Sequence, residues 1–376
     1  MRKIGRVALL TEIMTQSNGN SRWPLSTVCR GFLLLALAFL SACSPPPPPT
    51  PQELLPAKKF RIIALTTQLA ELAREIGGEA VIVECPITEQ VGVSPPSLEE
   101  LSAATKLKTV DKPRKLDKPA WNANPFTWEP DAGDFFSFQT AHMVLLNGLG
   151  VEKYLDKEID NLRQHGVLVI AVGDAVPADE LIMQAGEGKV PHALFFNSPR
   201  LWKYAVTAVA EGLKQLVTPE AAPYFDARAN PVLDRMDRLM GWTREKLDVL
   251  RAQNRTCFLS SHDSLAYFCR EFGMEGRAMV RADGGALDID KAELDEWLVK
   301  HEVADFMPDI AASKDFVVET LKDNKLQWAD PICSIYLNRP GTMRLGLLET
   351  YDTGTYDGAF RAMVRVFERK GGKSLR

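Results

Sequence analysis

Short apolar runs alternate with amphipathic helical stretches on both sides of one long helical segment, and few folds accept that pattern. In the first block "FRIIALT", "AVIVE", "HMVLLNGLG" and "VLVIAVG" read as buried strands. Between them "TQLAELAREIGG" carries Leu69, Leu72 and Ile76 on one helical face with Gly77 as its stop, and "EKYLDKEIDNLRQHG" ends at Gly166. The second block repeats the logic with strands "TCFLS", "RAMVRA", "VADFMP" and "LQWADPI" and helices "DSLAYFCREFG", "DKAELDEWLVKHE", "SKDFVVETLKDN" and "GAFRAMVRVFERK". Strands alternating with helices specify βαβ units and mostly parallel sheets. From Pro219 to Gln253 the chain reads as nearly continuous helix, with Val232, Met236, Leu239, Met240, Leu247 and Leu250 on one face and Pro231 as a kink or a true start. The expected fold is α/β: two lobes, each a mostly parallel sheet flanked by helices, joined by one long backbone helix.

The 376 residues suffice for two such lobes. The N-terminus predicts where they work. "RGFLLLALAFLSAC" has a basic flank and an apolar core from Phe32 to Leu40, about half the roughly twenty residues a spanning helix needs, so it reads as an export signal. Its ending, Leu40-Ser41-Ala42-Cys43, resembles a bacterial lipobox, which makes Cys43 a lipidated first residue; simple cleavage near Ala42 or an ordinary cysteine is the alternative. "SPPPPPTPQELLPAKK" then forms an extended, stiff tether. The expected organisation is a lipoprotein signal peptide over 1–42, a Pro-rich tether over 43–58, an N-terminal α/β lobe over 59–215 with a polar insertion at 87–123, a linking helix over 216–253 and a C-terminal α/β lobe over 254–376. The location is the cell envelope or periplasm, lipid-anchored to the membrane.

Charge excludes one class of partner. The first 42 residues hold Arg2, Lys3, Arg6, Arg22 and Arg30 against Glu12, so the rest of the chain is more acidic than its formal charge of −4. A mildly acidic body gives no footprint for nucleic acid. Cys85, Cys257, Cys269 and Cys333 are widely spread without a C-x-x-C, and Cys257 and Cys269 read as reduced core thiols.

In parallel α/β sheets ligands sit beyond the carboxyl ends of strands. Of the five histidines, His262 follows the strand over 256–260, in a turn, and His192 lies in the loop "GKVPHALFFNSPRLW". Asp330 follows "LQWA". Two imidazoles and a carboxylate suit a divalent first-row metal. Each has a plainer role open to it: His262 as a cap or packed ring, His192 as an ordinary loop residue, Asp330 as the start of an Asp-Pro turn. His165 and His301 sit at helix ends, where a cation suits the dipole, and His142 begins a buried strand. "SSHDS" sets Ser, His and Asp side by side, but no G-x-S-x-G elbow is present and no enzyme is expected.

Taken in order, these segments resemble the zinc- and manganese-type (cluster A-I, TroA-like) solute-binding lipoproteins of metal ABC transporters, from about Phe60 to the C-terminus. "NGLGVEKYLD" is similar to that family's N-G-L-G/E-x-W-L stretch. "SSHDSLAYFCREFGME" is similar to its S-H-D-A-F-x-Y-F segment, which carries a metal ligand at His262. "VPHALFFNSPRLWKYA" resembles its D-P-H-x-W-L motif with a ligand at His192, and "WADPI" its D-P-L stretch with a carboxylate at Asp330. The resemblance implies a substrate-binding protein that takes a divalent cation between two lobes and delivers it to an ABC transporter permease, as a monomer. Nitrogen-rich ligation favours zinc over manganese as cargo. Ser261 and Asp263 are then outer partners of the ligands.

One departure bears on the cargo. The family's first histidine falls in D-P-H-x-[FY]-E-P, whereas "ANPFTWEP" has Phe126 there, and the family's His-rich loop is absent. Water completes the site, or Glu129 or a residue of the insertion does. The alternative is a divergent member that no longer binds metal and acts as a small-molecule-binding or interaction lipoprotein, with Phe126, Trp128, Phe195 and Phe196 lining an apolar cleft.

Overall fold

The computed structural model describes residues 49–89, 125–126, 128–184, 190–281, 287, 290–303, 305–309, 326–328, 342–345 and 349–369. The signal peptide with Cys43, residues 90–123 of the insertion expected over 87–123, the helix expected over 313–324, Asp330 and Cys333 lie outside the described residues, while the insertion's first residues belong to a short helix, Pro86–Glu89.

The first sheet is four parallel strands in the order β2-β1-β3-β4. They are β1 (Phe60–Ala64), β2 (Val81–Glu84), β3 (Met143–Leu146) and β4 (Leu168–Ala171). Helix α1 (Thr67–Gly77) follows β1, α2 (Ala132–Gln139) precedes β3, and α3 (Ile159–Gln164) precedes β4. The Asp131 carboxylate starts α2 by accepting the Gly133 and Asp134 N–H groups, while Asp134 answers to the Asp131 N–H, a reciprocal cap.

The second sheet repeats the order as β6-β5-β7-β8, again parallel. Its strands are β5 (Cys257–His262), β6 (Glu275–Val280), β7 (Asp305–Met307) and β8 (Gln327–Trp328). Helix α4 (Pro199–Lys214) precedes α5 (Pro223–Ala252), the long connection between the sheets. Helices α6 (Ala266–Phe272) and α7 (Lys291–Lys300) follow β5 and β6. An antiparallel pair, β9 (Thr342–Leu345) with β10 (Glu349–Asp352), leads into the closing helix α8 (Tyr356–Arg369).

Two expectations shift. The long helix begins at Pro223 rather than Pro219, and Pro231 lies inside it instead of starting it. Arg235 grips both oxygens of Glu75 at 2.6 and 2.7 Å, binding α5 to α1 beyond that proline. The strand at 256–260 runs on to His262, because His262 still pairs with Val280 of β6. One apolar core runs through both lobes: Ile62 and Leu145 of the first sheet, Trp202 of α4, Val232 and Leu239 of α5, then Phe258, Phe268, Phe360 and Phe367.

The turn after β3 has left-handed backbone at Gly148, Leu149 and Gly150 (φ 76°, 53° and 87°). Glycine bears that conformation at two of the three positions without the usual steric cost. The turn points the Asn147 and Gly148 N–H groups at Glu152, whose carboxylate accepts them at 2.8 and 3.0 Å. Burial raises the Glu152 carboxyl from 4.5 to about 7, with those two N–H donors opposing the rise. A folded pKa above the unfolded one means this contribution to stability is complete below about pH 4.5 and is lost as pH rises towards 7. At about 1.4 kcal/mol per pH unit, Glu152→Gln should remove a decline of about 3 kcal/mol over that window. Urea unfolding of both proteins from pH 4.5 to 7.5 measures this; a difference that stays constant with pH excludes it.

Candidate metal centre

Both sheets reverse direction at the same place. With the order second-first-third-fourth, the switch points lie beyond the carboxyl ends of β1 and β3 in one lobe and of β5 and β7 in the other, which is where open α/β sheets bind ligands. His262 is the last residue of β5, and Asp309 follows β7 by two residues. Asn147, just past β3, reaches the loop that carries His192 by donating Nδ2–H to the Ala193 carbonyl at 3.0 Å.

His192 belongs to the chain between β4 and α4, and a short antiparallel bridge, Met183 with Pro191, shapes its loop. The His192 N–H donates to the Ile182 carbonyl at 2.7 Å. The second lobe clamps the same loop through Tyr267 of α6. Its buried hydroxyl accepts the Ile182 N–H at 3.1 Å and donates to the His192 carbonyl at 2.8 Å. The rings of His192 and Tyr267 meet edge to face at 5.7 Å. Asn197 adds an Nδ2–H to the Ser264 carbonyl at 2.8 Å, and Arg200 pairs with Glu271 at 2.8 Å.

The His192 ring, only 4% exposed, crosses the seam. Its Nε2 lies 3.1 Å from the Asp263 carbonyl and 3.6 Å from the Asp263 carboxylate. A carbonyl only accepts, so Nε2 carries the proton, and Nδ1 accepts the Leu194 N–H at 3.4 Å. His192 thus touches the residue that follows His262.

His262 is 9% exposed, and its Nδ1 lies 2.9 Å from the Ser261 hydroxyl. That hydroxyl oxygen accepts the Asp309 N–H at 2.7 Å. When Nδ1–H donates to Ser261, the Nε2 lone pair of His262 is available to a cation; the other tautomer puts a proton there. Burial holds the imidazole below its ordinary pKa, with the negative fields of Asp309 and Asp263 opposing, so the ring is neutral at pH 7. A cavity of about 300 Å³ reaches His262 and Asp263 and is lined also by Ser260, Arg277, Asp290 and Glu293.

Of the residues singled out from the sequence, His192 reaches Asp263, the residue after His262, whereas Asp330 lies outside the described residues. Among the described residues, His192 and His262 do not share a trio of ligand atoms all within 4.8 Å of one another. Phe126 packs against the main core, and Glu129 is exposed beside buried Trp128. Phe195 and Phe196 are fully enclosed and Trp128 sits in a second core cluster, so these rings line no open apolar cleft. His142 accepts the Arg61 N–H at 3.0 Å and His165 bonds the Asn161 carbonyl at 2.8 Å, both structural roles. Asp309, 2% exposed, escaped the sequence reading, although its position just past a strand was the available signal.

The family model described as zinc-uptake complex component A, periplasmic (ZnuA), matches residues 120–368. The manganese-binding lipoprotein MntA of Halalkalibacterium halodurans is 26% identical over 152 residues, 40% of this chain and 48% of that protein. The iron-binding protein YfeA of Yersinia pestis is 20% identical over 224 residues, 58% of each chain. The chain therefore spans about half the length of the curated relatives it matches. The periplasmic zinc-binding protein TroA of Treponema pallidum superposes with a TM-score of 0.64 at 19% identity, covering 83% of this chain and 98% of that one, which shows the two-lobed fold.

The clamp can be tested directly. Tyr267→Phe leaves the Ile182 N–H and the His192 carbonyl without their buried partner and should cost about 1–3 kcal/mol. Hydrogen exchange should quicken in peptides over 181–195 while β1 and β3 stay protected; unchanged exchange in that loop refutes the role.

Proposed function

The chain belongs to the family of periplasmic zinc-uptake complex component A proteins, and from that premise we propose that it is the extracytoplasmic substrate-binding protein of a metal ABC transporter. It captures a divalent cation between its lobes and passes it to a membrane permease. The family is one of solute-binding proteins, not enzymes. One observation carries the reading: a first-lobe histidine, His192, is pressed on the second sheet's switch point at Asp263, directly after His262.

The proposed ligands are His192, His262 and Asp330. Asp330 follows β8 by two residues in the chain, and β8 is parallel to β7 in the sheet that ends at His262. The donor set fits a borderline cation: two neutral imidazoles and one carboxylate leave the loaded centre with one net positive charge. Binding exchanges a contact. His192 gives up the Asp263 carbonyl and the Leu194 N–H, its one ring proton passes from Nε2 to Nδ1 through solvent, and the freed Nε2 lone pair turns to the cation. Buried Asp309 and half-buried Asp263 stay as acidic neighbours, and Ser261 holds the His262 ring.

Phe126 contributes no donor, so water or a rotated Glu129 takes the fourth position, and a weaker site suits a protein that must release its cargo. The relatives' names carry zinc, manganese and iron, so the donors rather than the kinship decide, and nitrogen-rich ligation favours zinc over manganese. The lobes over 59–215 and 254–376 close on the cation as a monomer. Lipidation at Cys43 and the Pro-rich tether hold the domain at the envelope membrane; among the described residues no helix is long and apolar enough to cross one. Packing of Phe195, Phe196 and Trp128 into cores weighs against the reading as an apolar-ligand binder.

Two measurements test this. After EDTA treatment, zinc at a hundredfold excess over its Kd should raise stability by about 2.7 kcal/mol. His192→Ala, His262→Ala and Asp330→Ala should each cut zinc affinity at least tenfold in competition with a chelating dye. Equal affinity in wild type and all three variants rejects the site, and no shift with zinc or manganese rejects metal as cargo. Separately, Cys43→Ser should move the protein from the membrane to the soluble fraction; continued membrane retention rejects the anchor.

A further inference from the structure

A second set of metal-binding groups lies at the other end of β5. Cys257 opens β5 and Glu275 opens β6, and the two are paired in register at the amino edge of the second sheet. Helix α7 leaves the carboxyl end of β6 and must return the chain to the amino end of β7, so its last turn arrives at this same edge. His301 caps that turn, with its N–H on the Trp297 carbonyl. The ends of a six-residue strand are about 17 Å apart, so this cluster is separate from His262.

The geometry is close to a coordination sphere. Cys257 Sγ lies 3.3 Å from His301 Nδ1 and 4.0 Å from Glu275 Oε2, and all three ligand atoms lie within 4.8 Å of one another. Zinc bonds of about 2.3 Å to sulfur and about 2.0–2.2 Å to nitrogen and oxygen, at tetrahedral angles, set donors roughly 3.3–3.7 Å apart. Only Glu275 needs to draw in. Trp297 positions that carboxylate by donating Nε1–H to Oε1 at 2.9 Å, which leaves Oε2 for the cluster. The Trp297 ring also leans on the His301 ring at 5.2 Å, and Arg277 covers Trp297 at 5.5 Å. Such outer partners fix ligand orientation in metal sites. The C-terminal end of α7 favours positive charge. Cys257 and His301 are half-buried and Glu275 is exposed, so a fourth position faces solvent. Cys257, expected from the sequence as a core thiol, instead lies at this edge beside His301.

We propose that Cys257, Glu275 and His301 form a second metal site, for a thiophilic divalent cation of the zinc class, with water as fourth ligand. The metal–sulfur bond forms as the thiol proton passes to solvent, and the bound ion ties the end of α7 to the start of β5 and β6. One thiolate and one imidazole select zinc over manganese, and the site owes nothing to the interlobe ligands.

Cobalt(II) separates the two sites, since only this one supplies sulfur. Reduced, EDTA-stripped full-length protein titrated with cobalt should develop a near-ultraviolet thiolate-to-cobalt band that zinc abolishes. The band should persist in His262→Ala, vanish in Cys257→Ser, and need at least tenfold more cobalt in His301→Gln. Zinc should also raise the melting temperature of His262→Ala and lose that effect once Cys257→Ser is added. No band in the folded wild type, or an undiminished band in Cys257→Ser, overturns the proposal whatever becomes of His192 and His262. Because the wild type alone can refute it, a variant that fails to fold does not shelter it.

Discussion

Everything positioned at the seam depends on one apolar core shared by the two lobes. The fully buried rings of Trp202, Phe258, Phe268, Phe360 and Phe367 join the first lobe's helices to the second sheet, and Tyr356 stacks on Trp202 at 5.5 Å. Burying one such side chain is worth roughly 1.5–3 kcal/mol. The ion pairs across the same boundary, Arg200 and Arg244 on Glu271, join partly exposed guanidinium groups to a buried carboxylate, whose desolvation offsets much of the attraction. Packing holds the lobes and the charges trim their register. Helix α5 belongs to this core along its length, so it joins the lobes by packing and not as a flexible linker.

A seam held by packing can carry polar groups that would otherwise be costly. The hydroxyl of Tyr267 satisfies a donor from Ile182 and an acceptor from His192, and Asn147 meets the Ala193 carbonyl from the opposite side. The loop around His192 is thus gripped by both lobes while its ring faces Asp263. Two orphaned oxygens border this region: Thr66 Oγ1, past β1, and Asn147 Oδ1, past β3, are buried and make no hydrogen bond with a described residue. Unmet buried acceptors are uncommon in folded proteins. Their position at the first sheet's switch point matches that of His262 and Asp309 at the second, so each sheet offers polar groups to the same seam.

How far the sequence could be read depended on how local each signal was. The α/β alternation was legible chiefly from the central strands β1, β3 and β5, whose burial leaves short apolar runs. His262 was found at a strand end, but assigned to a turn, because Ser261 reads as a loop residue until His262 is seen to pair with Val280 across the sheet. Tyr267 was legible only as one more apolar residue of α6, since nothing local tells a clamping hydroxyl from a packed ring. Asp309 was passed over although the strand "VADFMP" ends directly before it, because an aspartate after a strand reads as ordinary turn chemistry. The β9–β10 pair was missed for a similar reason, as four-residue strands give too few alternations to register.

Strand β5 shows why chemistry divides along a parallel sheet. At its carboxyl edge the switch point opens a gap between diverging loops, and groups there must be held by neighbours that are themselves buried, as Ser261 holds His262. At its amino edge no gap opens, but returning helices deliver their last turns, so side chains from adjacent strands and a helix end are drawn together by connectivity alone. Cys257 and Glu275 are register partners, and His301 arrives because α7 has to feed β7. The first proposed site draws on nitrogen and oxygen donors at the seam; the second contains sulfur and is open to solvent. A cation's preference for one or the other then follows from ligand softness and exposure, not from which edge is nearer the lobe boundary.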